Sequence, residues 1–204
     1  CSSDLPANSI LITSSSLAAA CAIFLTSKEN SMASTKTTAA KLPDNFTPPW
    51  HLVTAEERID DSLACVAMLA KQSLADIKEM AFKCGLPRQG PAWVYNEMIA
   101  KLLYQYGLVA SEEKEVNSMA GLPYCAILQV DYNEDMCFGR NVLWAHFGGT
   151  DTQQAFHLIM DPSPNTPNEL RITSAFGHLK LGPTFTYVEV TPRNDTVAAA
   201  KKGK

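Results

Sequence analysis

Three stretches in the first half of the chain carry apolar residues at helical spacing. Apolar positions recur on one side of the second stretch, and Ser73 just before it is a suitable helix cap. Pro91 suits the first position of the third stretch, which Gly107 ends. The pattern predicts helices at residues 62–71, 74–83 and 91–106.

The second half alternates short runs of β-branched and aromatic residues with Gly, Pro, Asp and Asn, which commonly separate strands. The charged run at residues 112–115 is predicted to be a solvated loop. Because helices come first and strands second, we expect the α+β class, with the N-terminal helices packed on an antiparallel sheet. The predicted strands span residues 124–132, 141–147, 156–161 and 184–190.

The two ends of the chain differ in composition from this middle part. Residues 26–45 are dominated by Ser, Thr, Lys, Ala and Asn, without a helical or strand period. We expect residues 1–45 to be an N-terminal extension that is disordered or wrongly assigned to the protein, with Met32 as the alternative start of the chain. The folded domain is then predicted at residues 46–192, and a flexible tail at residues 193–204.

Charge, cysteine content and hydropathy limit the classes of function that the chain can have. The 204-residue chain has a formal net charge of −4, which gives no bulk attraction to nucleic acid or anionic lipid. Its six cysteines form no Cys-x-x-Cys pair, so we expect no metal, no cofactor and a reducing, cytoplasmic compartment. The only membrane-like stretch, residues 17–25, is too short to span a bilayer. Export is the alternative if residues 1–31 are a truncated signal.

Cys65 is the candidate nucleophile of the chain. Its predicted place is the first turn of a helix, where unpaired backbone N–H groups and the helix dipole lower the pKa of a thiol. Flanked by Ala64 and Val66, it also fits the commoner fate of cysteine, a small buried apolar residue. The local sequence leaves both interpretations open.

The order of the elements resembles a known fold. A cysteine near a helix start is followed by two further helices, by strands and by an Asp-Pro pair. This order resembles the papain-like cysteine peptidases, and most of all the bacterial peptidases that process the double-glycine leaders of bacteriocins. The resemblance covers about residues 62–192. It rests on Asp-Ser-Leu-Ala-Cys-Val-Ala-Met-Leu-Ala at 61–70, Ser-Leu-Ala-Asp-Ile at 73–77, residues 93–110 ending in Tyr-Gly-Leu-Val-Ala, and His-Leu-Ile-Met-Asp-Pro-Ser-Pro at 157–164.

The resemblance implies a catalytic site of Cys65, His146 and Asp161. His146 precedes Asp161 by 15 residues, close to the spacing usual in the family. If the intervening turn is centred on Asp151, however, Asn141 lies opposite Asp161 and His146 points to the other face. A bulge at the following glycines would reverse that parity, so Asn141 is the alternative occupant of the base position. The remaining histidines are predicted to be packed or surface residues: His51, His157 and His178.

Two departures from the family pattern bear on activity. Its glutamine before the cysteine, whose amide helps to hold an oxyanion, is absent, and Asp60 and Asp61 there are predicted to cap the helix. Val66 stands where the family has glycine. The sequence therefore predicts a cysteine peptidase acting on a peptide or protein substrate. The alternatives are a non-catalytic peptide-binding module with a degenerate site on the same fold, and a related thiol transferase.

Overall fold

The structure is a computed structural model of the chain. It describes residues 42–43, 46–57, 59–89, 93–135, 138–149, 154–181 and 185–193. The predicted tail, apart from its first residue, and nearly all of the predicted extension lie outside these described residues. Within them, no helix has the length and apolar character needed to cross a membrane.

Three helices come first in the described part of the chain: α1 (Asp61–Ala70), α2 (Leu74–Lys83) and α3 (Asn96–Gln105). The bounds predicted for α2 are confirmed, and the Ser73 hydroxyl oxygen accepts a hydrogen bond from the Asp76 N–H at its start, at 3.1 Å. α3 begins later than predicted, because its N-cap residue Tyr95 is extended, and Gly107 follows it at a φ of 75°.

The strands of the described residues form one antiparallel six-stranded sheet in the order β1-β6-β2-β3-β4-β5. Helices on an antiparallel sheet confirm the α+β class. The charged run 112–115 belongs to the edge strand β1 rather than to a loop, which corrects that prediction. The bounds are β1 (Leu108–Glu115), β2 (Cys125–Asn133), β3 (Phe138–Phe147), β4 (Phe156–Met160), β5 (Ile172–Thr173) and β6 (Thr186–Pro192), with a short helix α4 (Asn168–Arg171) before β5.

The sheet separates two buried clusters of apolar side chains. The cluster on one face contains α1 together with Leu143 and Ala145 of β3. The cluster on the other face contains Val142 and Trp144 of the same strand. Because neighbouring residues of a strand point to opposite faces, the position of each β3 side chain follows from its parity. α1 is buried from Asp61 through Leu69, so it is the central helix of the domain.

Candidate functional site

A cavity of about 410 Å³ lies between the start of α1, the start of α3 and the sheet. Its volume is within the range of about 300–1,000 Å³ that is common for ligand pockets. Two aromatic side chains at the cavity are largely exposed, Trp93 at 47% and Tyr95 at 67%. Its polar lining includes Asp61 and Ser62 of α1, Asn96 of α3, Glu113 of β1, Gln129 of β2 and Asn141 of β3.

The first turn of α1 is hydrogen-bonded directly to β3 at this cavity. One carboxylate oxygen of Asp61 accepts from the backbone N–H of Asn141, and the other accepts from the Ser62 N–H at 2.9 Å. The Asn141 side-chain amide donates to the Ser62 hydroxyl oxygen at 2.8 Å. Burial raises the pKa of the Asp61 carboxyl, although these hydrogen bonds and the charge of Arg140 oppose that rise. The place where helix and sheet meet is therefore occupied by a carboxyl, a hydroxyl and an amide.

Asp60, the other aspartate before the helix, does not cap α1 with its side chain. Its carboxylate accepts instead from the Glu57 N–H at 2.9 Å and pairs with Lys78 of α2 at 2.7 Å. Asp60 is thus the N-cap residue of α1 by position, but the side-chain capping predicted for it is not found, because its carboxylate has partners outside the helix. Asp61, also predicted as a cap, is the first residue of α1 and lines the cavity.

Cys65 is the fifth residue of α1 and is fully buried. Cys65 does not line the cavity. It also lies beyond the first turn of the helix, and only the N–H groups of that first turn are free to stabilise an anion. Burial raises the pKa of the Cys65 thiol well above its usual value, and the carboxylates of Asp61 and Asp161 raise it further. The lowered pKa expected for Cys65 is thus corrected to a raised one.

His146 lies on the opposite face of the sheet from Cys65. Leu143 and Ala145 belong to the same buried cluster as Cys65, whereas Trp144 belongs to the cluster on the other face of the sheet. Because strand side chains alternate between faces, His146 points to the same face as Trp144. The β3–β4 register runs without a shift up to the pair of Phe147 and Phe156, so no bulge reverses the parity. His146 is exposed and pairs in register with His157. The structure therefore does not bring the predicted base to the predicted nucleophile.

Asp161, the predicted orienting residue, is fully buried at the end of β4. Its carboxylate pairs with Arg140 at 2.6 Å and accepts hydrogen bonds from the Ser163 N–H at 2.9 Å and the Thr166 hydroxyl at 2.8 Å. It has no hydrogen bond to Asn141. The pairing of Leu143 with Met160 would put Pro162 rather than Asp161 opposite Asn141, which corrects the predicted pairing by one residue.

Among the other histidines, His178 has both ring nitrogens buried without a hydrogen bond, and its Nε2 lies 3.9 Å from an oxygen of Asp161. Burial lowers the pKa of His178 and of His157, and the ring of His157 stacks on Trp144. His51 is exposed. Within the described residues, no group of three or more His, Cys, Asp or Glu side chains is placed to hold a metal ion.

Sequence reasoning missed Arg140, which pairs with Asp161 and with Asp131 at 2.5 Å, and it missed Gln129 at the cavity. The Arg140–Asp161 pair joins positions 21 residues apart, and the cavity brings Gln129 together with the starts of α1 and α3, so neither role follows from local sequence. The polar pair Asp61–Ser62 at the head of an otherwise apolar helix was the signal that could have identified the site.

Of the comparisons with known proteins, the one with solved structures found a match. No protein-family model and no curated protein matches the chain. Among solved structures, the chain is similar to a double-glycine motif protease from an AMS/PCAT transporter in complex with the leader peptide. The identity is 16% and the TM-score 0.44, over 76% of this chain and 94% of that one.

Proposed function

We propose that the protein is a non-catalytic peptide-binding module with a degenerate site on a papain-like fold. One observation carries this proposal: Asp61, Ser62 and Asn141 line the cavity, while the nearby thiol of Cys65 is enclosed in the core. A ligand in the cavity would meet a carboxyl, a hydroxyl and an amide rather than the thiol of Cys65.

The same geometry argues against peptide hydrolysis through Cys65. A cysteine peptidase needs a thiolate, within reach of a base, at a place where substrate enters. Here burial and two carboxylates raise the pKa of the thiol, and His146 lies on the other face of the sheet. The carboxylate of Asp61 would also repel the oxyanion that forms during acyl transfer.

Peptide binding is supported by the lining of the cavity and by the sequence resemblance to leader-processing peptidases over about residues 62–192. Exposed aromatic rings such as those of Trp93 and Tyr95 supply apolar contact area at low entropic cost. Gln129 lines the cavity, and none of the hydrogen bonds between described residues uses its side-chain amide, which is therefore available to bond a peptide backbone.

The test is retention and cleavage of random dodecapeptides by the full chain, followed by mass spectrometry. We expect retention without cleavage. Retention should fall when Trp93 and Tyr95 are both replaced by Ala. Tyr124→Ala is the matched control, because Tyr124 is 63% exposed but does not line the cavity.

Two results would overturn the proposal. Cleavage that disappears in Cys65→Ala would restore the peptidase hypothesis. Retention that is absent, or that is equal in the cavity variant and the control, would exclude this cavity as a peptide site.

A further inference from the structure

Two carboxylates line the same cavity, and neither is neutralised by an ion pair to a described residue. Asp61 is held by the backbone N–H groups of Asn141 and Ser62. Glu113 accepts from the side-chain amide of Asn96 at 2.7 Å and from the hydroxyl of Thr186 at 2.6 Å. All four donors are neutral, so they fix the positions of the carboxylates without adding an opposing charge.

Two described basic side chains close to these carboxylates, Arg140 and Lys114, are engaged elsewhere. Arg140 lowers the pKa of Asp61 by its charge, but its guanidinium is bonded to Asp131 and Asp161. Lys114, next to Glu113 on β1, pairs with Glu189 at 2.9 Å. No Lys or Arg is among the described residues that line the cavity. Within the part of the chain that the structure describes, the two carboxylates thus have no cation bonded to them at the cavity, which favours cationic over anionic ligands.

The aromatic side chains add an independent preference for the same kind of ligand. Trp93 and Tyr95 are both largely exposed at the cavity. Faces of such rings attract ammonium and guanidinium groups and also pack against the methylene stem that carries them. Carboxylates together with exposed rings suit a cation on an apolar stem better than a hydrated metal ion, which needs several oxygen ligands.

We infer that the cavity takes the cationic side chain of a lysine or arginine in the bound peptide. This inference rests on the proposed function, because it names the residue class that the peptide-binding cavity selects. Asp61 and Glu113 supply the charge complementarity, and the two rings supply the contact with the stem of the side chain.

The experiment uses dodecapeptide pools in which one central position is fixed and all others are random. The fixed residue is Lys, Arg, citrulline, norleucine or Glu, and retention on the full chain is measured for each pool. Citrulline matches the shape of arginine without its charge, and norleucine matches the stem of lysine. We expect the Lys and Arg pools to be retained about fivefold more than their neutral counterparts, since a cation over an aromatic ring is worth about 1 kcal/mol.

Charge-removing variants separate this cavity from the general acidity of the protein. Glu113→Gln and Asp61→Asn should each reduce the preference for the basic pools, whereas Glu169→Gln should retain it. Glu169 is an exposed carboxylate on α4, next to β5 at the other edge of the sheet. Because Glu113 is exposed, its variant is expected to fold even if the buried Asp61 variant does not.

The outcomes distinguish failure of the inference from failure of the proposed function. Equal retention of charged and neutral pools would overturn the inference and leave peptide binding intact. A basic preference that persists in Glu113→Gln and in the folded Asp61→Asn variant would also overturn it. Retention of no pool would mean that the proposed function itself is wrong.

Discussion

The first and second turns of α1 differ in nearly every physical respect, although about 5.4 Å of helix separates them. The first turn presents Asp61 and Ser62 to the cavity and bonds them to Asn141 of β3. The second turn, from Cys65 to Met68, is enclosed by apolar neighbours. The reach of a side chain into the cavity, rather than its residue type, therefore decides whether it can act on a ligand.

The largest expected effect comes from placing a carboxylate in the second turn of α1, which is enclosed by apolar side chains. Cys65→Asp should lower the free energy of unfolding by about 4 kcal/mol or more, because an unpaired carboxylate would be buried among apolar side chains. Urea denaturation followed by circular dichroism measures this change. Cys65→Ala is the control, with an expected loss of about 1 kcal/mol. Equal stability of the two variants would show that the second turn is not enclosed.

Two residues near opposite ends of β3 should likewise differ in how much they contribute to stability. Arg140→Met should lower the free energy of unfolding by about 3 kcal/mol, because the fully buried Asp161 would lose its cationic partner. His146→Ala, at the exposed end of the strand, should change it by less than about 0.5 kcal/mol. Chemical denaturation of both variants checks the contrast. A similar loss in the two would contradict the structural role of the Arg140–Asp161 pair.

A smaller effect is expected in the pH dependence of stability. Burial raises the folded-state pKa of Asp61 above its ordinary value of 3.8, so the folded state binds this proton more tightly than the unfolded state. The contribution of Asp61 to stability is therefore most favourable below pH 3.8 and is lost as the pH rises through the raised pKa.

Asp61→Asn removes this titration, at the constant cost of one lost hydrogen-bond acceptor. The difference in free energy of unfolding, wild type minus variant, should therefore fall as the pH rises from 3.8 to neutrality. Equilibrium denaturation at a series of pH values measures it. A difference that stays constant or rises over that range would contradict a raised pKa. Glu169→Gln serves as the comparison, because that carboxylate is exposed.

Local sequence determined some elements well and others poorly. The bounds of α2 followed from its cap at Ser73 and its apolar period, both of which are local. β1 was missed because its residues from Glu112 to Glu115 are charged and exposed, and only pairing with β6 makes them a strand. An edge strand needs no apolar alternation when neither face of that segment is buried.

The candidate site depended on information that is not local. Alternation along β3 already indicated that His146 and Asn141 point to opposite faces. The register with β4 differed by one residue from the value expected for a symmetric turn, because strand pairing is set by packing as well as by the loop. That Asp61, and not Cys65, reaches the cavity follows from how α1 packs on β3, which sequence spacing does not encode.

The most direct test of the central claim is alkylation of native thiols by iodoacetamide from pH 6 to 9, resolved by mass spectrometry. The partly exposed Cys84 should be labelled, while Cys65 and Cys125 should be protected until the protein unfolds. In Glu113→Cys, the new thiol on the exposed wall of the cavity should also be labelled in the native state. Selective labelling of Cys65 with a midpoint below the roughly 8.5 of a free thiol would contradict the account and identify an activated nucleophile.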